Sequence, residues 1–173
     1  ESSIEWADLN NDGLKDIILA GNDGSSRLTK IYINQKGTGF VEITDISIPG
    51  LDQGDIEKVD FDNDSDWDLA LSGYNGSIPI TQLYENTQEK GFQIAETPFD
   101  SLYQSDMAWA DYDADGDMDV IICGTNGSKA VTALYQNDGT GHFSEKNAGS
   151  FTQISKGSID WGDYDNDGDY DLV

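Results

Sequence analysis

Four nine-residue stretches carry oxygen-bearing side chains at alternating positions around a tight turn: Asp8 to Asp16, Asp60 to Asp68, Asp111 to Asp119 and Asp163 to Asp171. The shared pattern is Asp-x-Asp/Asn-x-Asp-Gly-x-x-Asp. Side chains at positions one, three and five of such a turn point at one centre. The carbonyl of position seven joins them and the aspartate at position nine closes the shell. Five or six hard oxygens with no nitrogen or sulfur suit Ca²⁺ better than a transition metal. The ligands read this way are Asp8, Asn10, Asp12, Leu14 and Asp16 in loop one, and Asp60, Asp62, Asp64, Asp66 and Asp68 in loop two. Loop three supplies Asp111, Asp113, Asp115, Asp117 and Asp119, and loop four Asp163, Asp165, Asp167, Asp169 and Asp171. Up to four Ca²⁺ ions are therefore expected, one per loop. An EF-hand would need glutamate at position twelve, where Leu19, Leu71 and Ile122 stand instead.

The loops differ in donor charge. Loops three and four offer four carboxylates around a glycine, whereas loop one has Asn10 in place of one of them. Loop two keeps its carboxylates but has Ser65 where the left-handed glycine belongs, which costs about 1 kcal/mol. Loops one and two are expected to bind less tightly. The side chains of Asp66, Asp117 and Asp169, whose backbone would coordinate, are expected in solvent. A merely acidic surface would scatter its acids, yet 18 of the 26 aspartates lie inside these four stretches.

The elements that must hold the loops follow from their spacing. Asp8, Asp60, Asp111 and Asp163 lie 52, 51 and 52 residues apart, and other landmarks recur in the same register. Tyr32-Ile33-Asn34, Tyr84-Glu85-Asn86 and Tyr135-Gln136-Asn137 are in phase, as are Phe40, Phe92 and Phe143. Each unit reads as four short strands. An alternating run precedes the Asp loop. A continuous apolar run follows it (Ile17-Ile18-Leu19, Val120-Ile121-Ile122), then a Thr/aliphatic/Tyr run, then a run opening at the Phe. Four antiparallel strands in about 50 residues is the arithmetic of a propeller blade. The fold class is therefore all-β, a β-propeller of which about 3.5 blades are present, as a fragment or an assembling piece. The blades divide at 1–52, 53–104, 105–155 and 156–173. Trp6, Trp109 and Trp161 recur two residues before the loops and are expected to pack between blades, with Lys58 in that place in blade two. Trp67, inside loop two, is expected to be exposed and is the aromatic best placed to stack on a ligand.

The 34 acidic residues against 9 basic ones give a net charge of −25, which argues against nucleic acid or an anionic membrane as partner. The 36% hydrophobic content argues against disorder. No apolar stretch approaches the about 20 residues of a membrane helix, and Glu1 to Trp6 shows no signal-peptide pattern. The start therefore reads as the interior of a longer protein or a processed chain. The one cysteine, Cys123, sits in an apolar run and is expected to be buried and inert. The one histidine, His142, falls in a Gly-rich hairpin and is expected to be exposed. No nucleophile–histidine arrangement is supported, so the expectation is a protein that is not an enzyme. Sequons at Asn75 and Asn126 fall in accessible turns.

These residues resemble the FG-GAP/VCBS repeats of integrin-α-type β-propellers. The resemblance rests on the Asp-loop motif, the strand that follows it, and the segment Tyr135 to Phe143. It implies a Ca²⁺ in the loop between the first two strands of each blade and an extracellular or cell-surface, secreted setting. The implied function is a non-enzymatic Ca²⁺-binding module for cell adhesion, with an extracellular protein or glycan ligand. The alternatives are a carbohydrate-binding propeller, or the non-catalytic propeller of a larger secreted enzyme. Self-association through open propeller edges is also expected.

Overall fold

Short β-branched and aliphatic runs broken every few residues by Asx-Gly turns can satisfy their backbone groups only by pairing sideways with the next run. The computed structural model, which describes residues 2–44, 46–88, 90–146 and 151–173, places fourteen strands among them. Blade one comprises β1 (Ser3–Ala7), β2 (Asp16–Asn22), β3 (Arg27–Asn34) and β4 (Phe40–Ile43). Blade two comprises β5 (Ile56–Val59), β6 (Asp68–Tyr74), β7 (Pro79–Asn86) and β8 (Phe92–Ala95). Blade three comprises β9 (Tyr103–Ala110), β10 (Asp119–Thr125), β11 (Ala130–Asn137) and β12 (Phe143–Lys146). The pair β13 (Trp161–Gly162) and β14 (Asp171–Leu172) begins a fourth. Each complete sheet is an antiparallel meander in chain order, and the sheets do not close into a ring. This is the all-β, partial β-propeller architecture expected from the repeat.

Register is repeated along with sequence. The residue before each Asp loop pairs with the loop's last aspartate: Ala7 with Asp16, Val59 with Asp68, Ala110 with Asp119. The loop is thereby closed at its neck by a strand pair. First strands of successive blades lie against one another, β1 on β5, β5 on β9 and β9 on β13. They form the inner rim of the array.

Three apolar clusters occupy the seams between blades. Leu69, Leu71 and Tyr84 of blade two pack on Ile18, Ala20 and Ile31 of blade one. Val120, Ile122 and Tyr135 of blade three pack on Val59, Ala70 and Leu83 of blade two. Ile121, Cys123 and Leu134 pack on Ile159, with Trp161 and Leu172 against them. The second strand of an interior blade is therefore buried on both faces, as its continuous apolar run requires. The connectors between blades add an in-phase apolar pair absent from the sequence reading: Ile48 and Leu51, Phe99 and Leu102, Phe151 and Ile154. Leu102 donates its N–H to Thr81 Oγ1 (3.0 Å) and accepts from Gly73 N (3.1 Å). A Cβ on Gly124 would sit 2.8 Å from the Ser105 side chain and 3.1 Å from that of Leu102, so no larger residue fits where this connector crosses.

The tryptophans follow the seams only in part. Trp161 stacks on Tyr112 of blade three (centroids 6.0 Å apart) and donates Nε1–H to Ala108 O at 3.1 Å. Trp109 packs edge-on to Phe143 of its own blade and against the cluster between blades two and three. Trp6 packs edge-on to Phe40 at the outer face of blade one and is 49% exposed.

Candidate metal loops

The aspartate loops are shaped by their own side chains before any ion is considered. The first aspartate of loop three accepts Asp115 N at Oδ1 (2.9 Å) and Gly116 N at Oδ2 (3.0 Å). Loop one repeats this with Asp8, accepting from Asp12 N and Gly13 N (3.0 and 2.8 Å), and loop four with Asp163, accepting from Asp167 N and Gly168 N (3.1 and 3.2 Å). The aspartate at position five then accepts the N–H of position seven, from Leu14, Asp66, Asp117 and Asp169 to Asp12, Asp64, Asp115 and Asp167. Each N–H held this way fixes the orientation of a carboxylate and of the peptide that donates to it.

The turn needs two left-handed residues, of which the sequence reading found one. Position six is Gly13, Gly116 and Gly168, with Ser65 at φ 73° in loop two. Position four is left-handed too: Asn11, Asn63, Ala114 and Asn166 lie at φ 55–62°. Asparagine tolerates that conformation, whereas Ala114 bears a cost of about 1 kcal/mol.

Carboxylate oxygens lie within 4.8 Å of one another in three loops: Asp60, Asp62 and Asp68; Asp111, Asp113 and Asp115; Asp163, Asp165 and Asp171. Among the described residues loop one forms no such carboxylate triad. Its Asn10 takes the third place and bridges to Asp12, accepting from the Asp12 N–H and donating Nδ2–H to Oδ2, each at 3.2 Å. Loop two is the distorted one: Asp64 N turns to Asp62 Oδ1 (3.3 Å), and Asp60 Oδ1 is left buried with no partner. A buried acceptor oxygen without a partner, on one of three carboxylates that converge, is an atom a hard cation would satisfy, so the donor set fits Ca²⁺.

The aspartate at position nine has a second task. Asp68 accepts Phe61 N at Oδ2 (3.2 Å) and Asn86 N at Oδ1 (2.8 Å), and Asp119 accepts Tyr112 N (3.3 Å) and Asn137 N (2.8 Å). Asp16 accepts Leu9 N (2.9 Å) and Asn34 N (2.8 Å). It therefore ties the loop to the end of the third strand. Burial pushes the Asp68 carboxyl up to about 8 despite these donors, with Asp62 and Asp66 adding repulsion. Burial likewise raises Asp119 to about 6, helped by Asp113 and Asp115. Burial is also the main cause of the upward shifts at Asp62, Asp66 and Asp113.

Two position-seven side chains depart from the expectation of solvent exposure. Asp66 is only 7% exposed: its Oδ2 accepts from Gln88 Nε2 at 3.1 Å, while Oδ1 is buried without a partner. Asp117 Oδ1 accepts from Asn63 Nδ2 of loop two at 2.8 Å, a direct bond between successive loops. Asp169 alone is exposed as expected. Trp67 also departs. It is half-buried against the blade-one seam, and the Lys58 ammonium lies 5.8 Å from its ring centre. Blade two has exchanged the Trp6/Lys15 pair of blade one for Lys58/Trp67, and the cation covers the ring.

The sequence reading did not single out the third-strand asparagines as site residues. Asn137 Nδ2 donates to Met118 O of its own loop (3.2 Å) and to Phe61 O of loop two (2.7 Å). Asn86 Nδ2 donates to Trp67 O (3.1 Å) and to Leu9 O of loop one (2.9 Å). Asn34 donates to Lys15 O of its own loop (3.1 Å). Their recurrence in phase was the available signal. Also unforeseen is the acid row on the inner rim, where burial raises Asp55 to about 6 and Glu57 to about 7. Neighbouring Asp106 reinforces the first shift and Asp55 the second. A cleft of about 460 Å³ opens beside them, walled by Trp67, Trp109, Glu57, Lys58 and Asp160.

An open array of four-stranded antiparallel blades, each with an aspartate loop between its first two strands, is a β-propeller-like repeat module. The chain belongs to the FG-GAP-like repeat family, whose model matches residues 8–71, 60–122 and 111–173. Each match starts at the first aspartate of one loop and runs through the next. No curated protein matches the chain.

Proposed function

We propose that the module binds Ca²⁺ in its aspartate loops and uses it to hold the blades rigid for extracellular adhesion or ligand binding. The observation that carries this reading is the convergence of Asp60, Asp62 and Asp68 in a loop where Asp60 Oδ1 is buried without a partner, a carboxylate cluster with counterparts in loops three and four. Bound Ca²⁺ would neutralise carboxylates that burial and mutual repulsion otherwise push toward protonation. At positions one, three, five and nine, loops two to four supply four carboxylates each and loop one three, so loop one is the weakest site. A calorimetric Ca²⁺ titration tests this directly: saturable binding at three or four sites is expected, and an absence of binding at millimolar Ca²⁺ overturns it.

The role is non-catalytic. Cys123 is buried with its thiol pushed up by that burial, and His142 stands exposed on a hairpin with Thr140 as its neighbour. The carboxylate nearest His142, Asp138 at 3.9 Å, shares its exposed hairpin. The excess of acid left after metal binding disfavours nucleic acid and anionic membranes and suits a protein or glycan ligand. The inner-rim cleft favours a glycan as the second reading, because Trp67 and Trp109 lie beside carboxylates able to accept from hydroxyls. The apolar outer face of blade one, with Ile4 and Trp6 exposed, would admit another blade of the same kind. An oxidising, calcium-rich setting outside the cell fits both the loops and the lone buried thiol. Glycan arrays probed with and without Ca²⁺ separate the glycan reading from protein adhesion.

A further inference from the structure

We infer that cation occupancy of successive aspartate loops is positively coupled through the third-strand asparagines Asn86 and Asn137. The inference rests on the Ca²⁺ reading above and adds to it how the sites act on one another. The path is a continuous set of buried hydrogen bonds. From loop one, Leu9 N–H holds Asp16, Leu9 O accepts Asn86 Nδ2, and Asn86 N–H holds Asp68. From loop two, Phe61 N–H holds Asp68, Phe61 O accepts Asn137 Nδ2, and Asn137 N–H holds Asp119. Leu9, Asp16, Phe61, Asp68, Asn86, Asp119 and Asn137 are all buried, so water does not short-circuit the path. A second bond, from Asn63 Nδ2 in loop two to Asp117 Oδ1 in loop three, spans the same seam on the surface.

The sign follows from ordering. Fixing the carboxylate of Asp68 fixes the loop residue Phe61, and so the carbonyl that Asn137 must reach. Asn137 has one backbone N–H and one amide, and both are committed to this geometry. A loop whose neighbour is already ordered therefore loses less conformational freedom on binding its own ion, which raises its affinity. The third-strand asparagines are positioning residues: their side chains hold backbone carbonyls of two loops, and their N–H groups hold the position-nine carboxylates Asp68 and Asp119 in place. Blade one supplies an internal control, because Asn34 Nδ2 bonds within its own loop.

The test is a Ca²⁺ titration followed residue by residue by NMR, with the Ser65 and Gly116 amides reporting loops two and three, on the wild-type chain and the N137A and N34A variants. The wild type is expected to fill with a Hill coefficient above one. N137A is expected to weaken loop three about fivefold or more and to return loops two and three to independent filling. N34A is expected to leave the coupling between loops two and three unchanged. Because N137A removes a buried amide and could impair folding, a reciprocal pair made on the surface keeps the inference open to refutation. D62N in loop two must weaken loop three and D113N in loop three must weaken loop two, by equal factors where each variant leaves its own loop empty. Independent filling in the wild type, or no cross-effect in that pair, overturns the coupling while leaving Ca²⁺ binding intact. An absence of Ca²⁺ binding at every loop overturns both readings.

Discussion

Blade one and blade three share a sequence pattern and a hydrogen-bond register, yet they bury different amounts of it. Ile4 and Met107 occupy the same place in the first strand; Ile4 is 61% exposed and Met107 3%. Leu19 and Ile122 occupy the same place in the second strand, half-exposed in one blade and buried in the other. Asn137 reaches across to loop two, while Asn34 bonds only within its own blade. A blade therefore holds half a core, and its neighbour supplies the other half. This is the nearest-neighbour logic of repeat proteins, in which stability resides in the seams as much as in the units.

The largest test of that comparison is removal of calcium. At free Ca²⁺ tenfold above its dissociation constant each site contributes about 1.4 kcal/mol, so three or four sites sum to about 4–6 kcal/mol. Excess EDTA should lower the melting temperature by about 10–20 °C in scanning calorimetry. Hydrogen exchange should accelerate more at Gly116 in loop three than at Gly13 in loop one, where carboxylates are fewer. An unchanged melt would refute the stabilising role.

Core truncation comes next. Ile122→Ala should cost about 2–5 kcal/mol in urea denaturation, and Leu19→Ala less than half as much, because no second blade surrounds it. Equal losses would refute the half-core account. The asparagines repeat the contrast on a smaller scale. Asn137→Ala leaves buried carbonyls at Phe61 and Met118 without a donor and should cost about 1–3 kcal/mol, with Asn34→Ala costing clearly less.

The inner rim gives a pH test. Glu57 is raised from 4.5 to about 7 by burial, with Asp55 and Glu5 adding repulsion that Lys58 only partly offsets. Between those values the folded protein holds the proton more tightly than the unfolded chain. The contribution of Glu57 to stability should therefore fall as pH rises through about 4.5 to 7 and level off above. In EDTA, Glu57→Gln should lessen the fall of the melting temperature across that window, where Asp55 and Asp119 also titrate, and raise it at pH 8; an unaltered profile would refute the assignment. Glu5, the blade-one counterpart, pairs with Lys58. The smallest effect expected is a gain of up to about 1 kcal/mol from Ser65→Gly, which relieves a left-handed serine and brings loop two closer to loop three. Chemical denaturation resolves it.

The strands and the Asp loops were legible because each rests on local chemistry: alternation, Asx-Gly turns, and oxygens at alternating positions. What was not legible depends on partners far along the chain. Asn137 finds Phe61 O 76 residues away, and nothing adjacent to Asn137 names that carbonyl. Asp66 read as solvated because position seven offers its backbone to the ion, yet Gln88 on the adjoining hairpin and the surrounding fold bury its side chain. Trp67 read as exposed because it stands in a loop; the Lys58 ammonium comes from the preceding strand to lie over its ring. Ala114 shows a different gap. Alanine carries no left-handed preference, so only the backbone reveals that position four needs it.

The antiparallel meander has a mechanical consequence. Tension applied along the chain would meet each blade at its inner first strand and its outer fourth strand, across hydrogen bonds that run perpendicular to the strands. Those bonds are loaded one after another as a zipper rather than together in shear. A blade should peel as a unit, and one 51-residue repeat would release at most about 170–185 Å of contour length. A module held between two attachment points would lengthen in such steps, and Ca²⁺ bound as proposed would raise the force at which each step occurs.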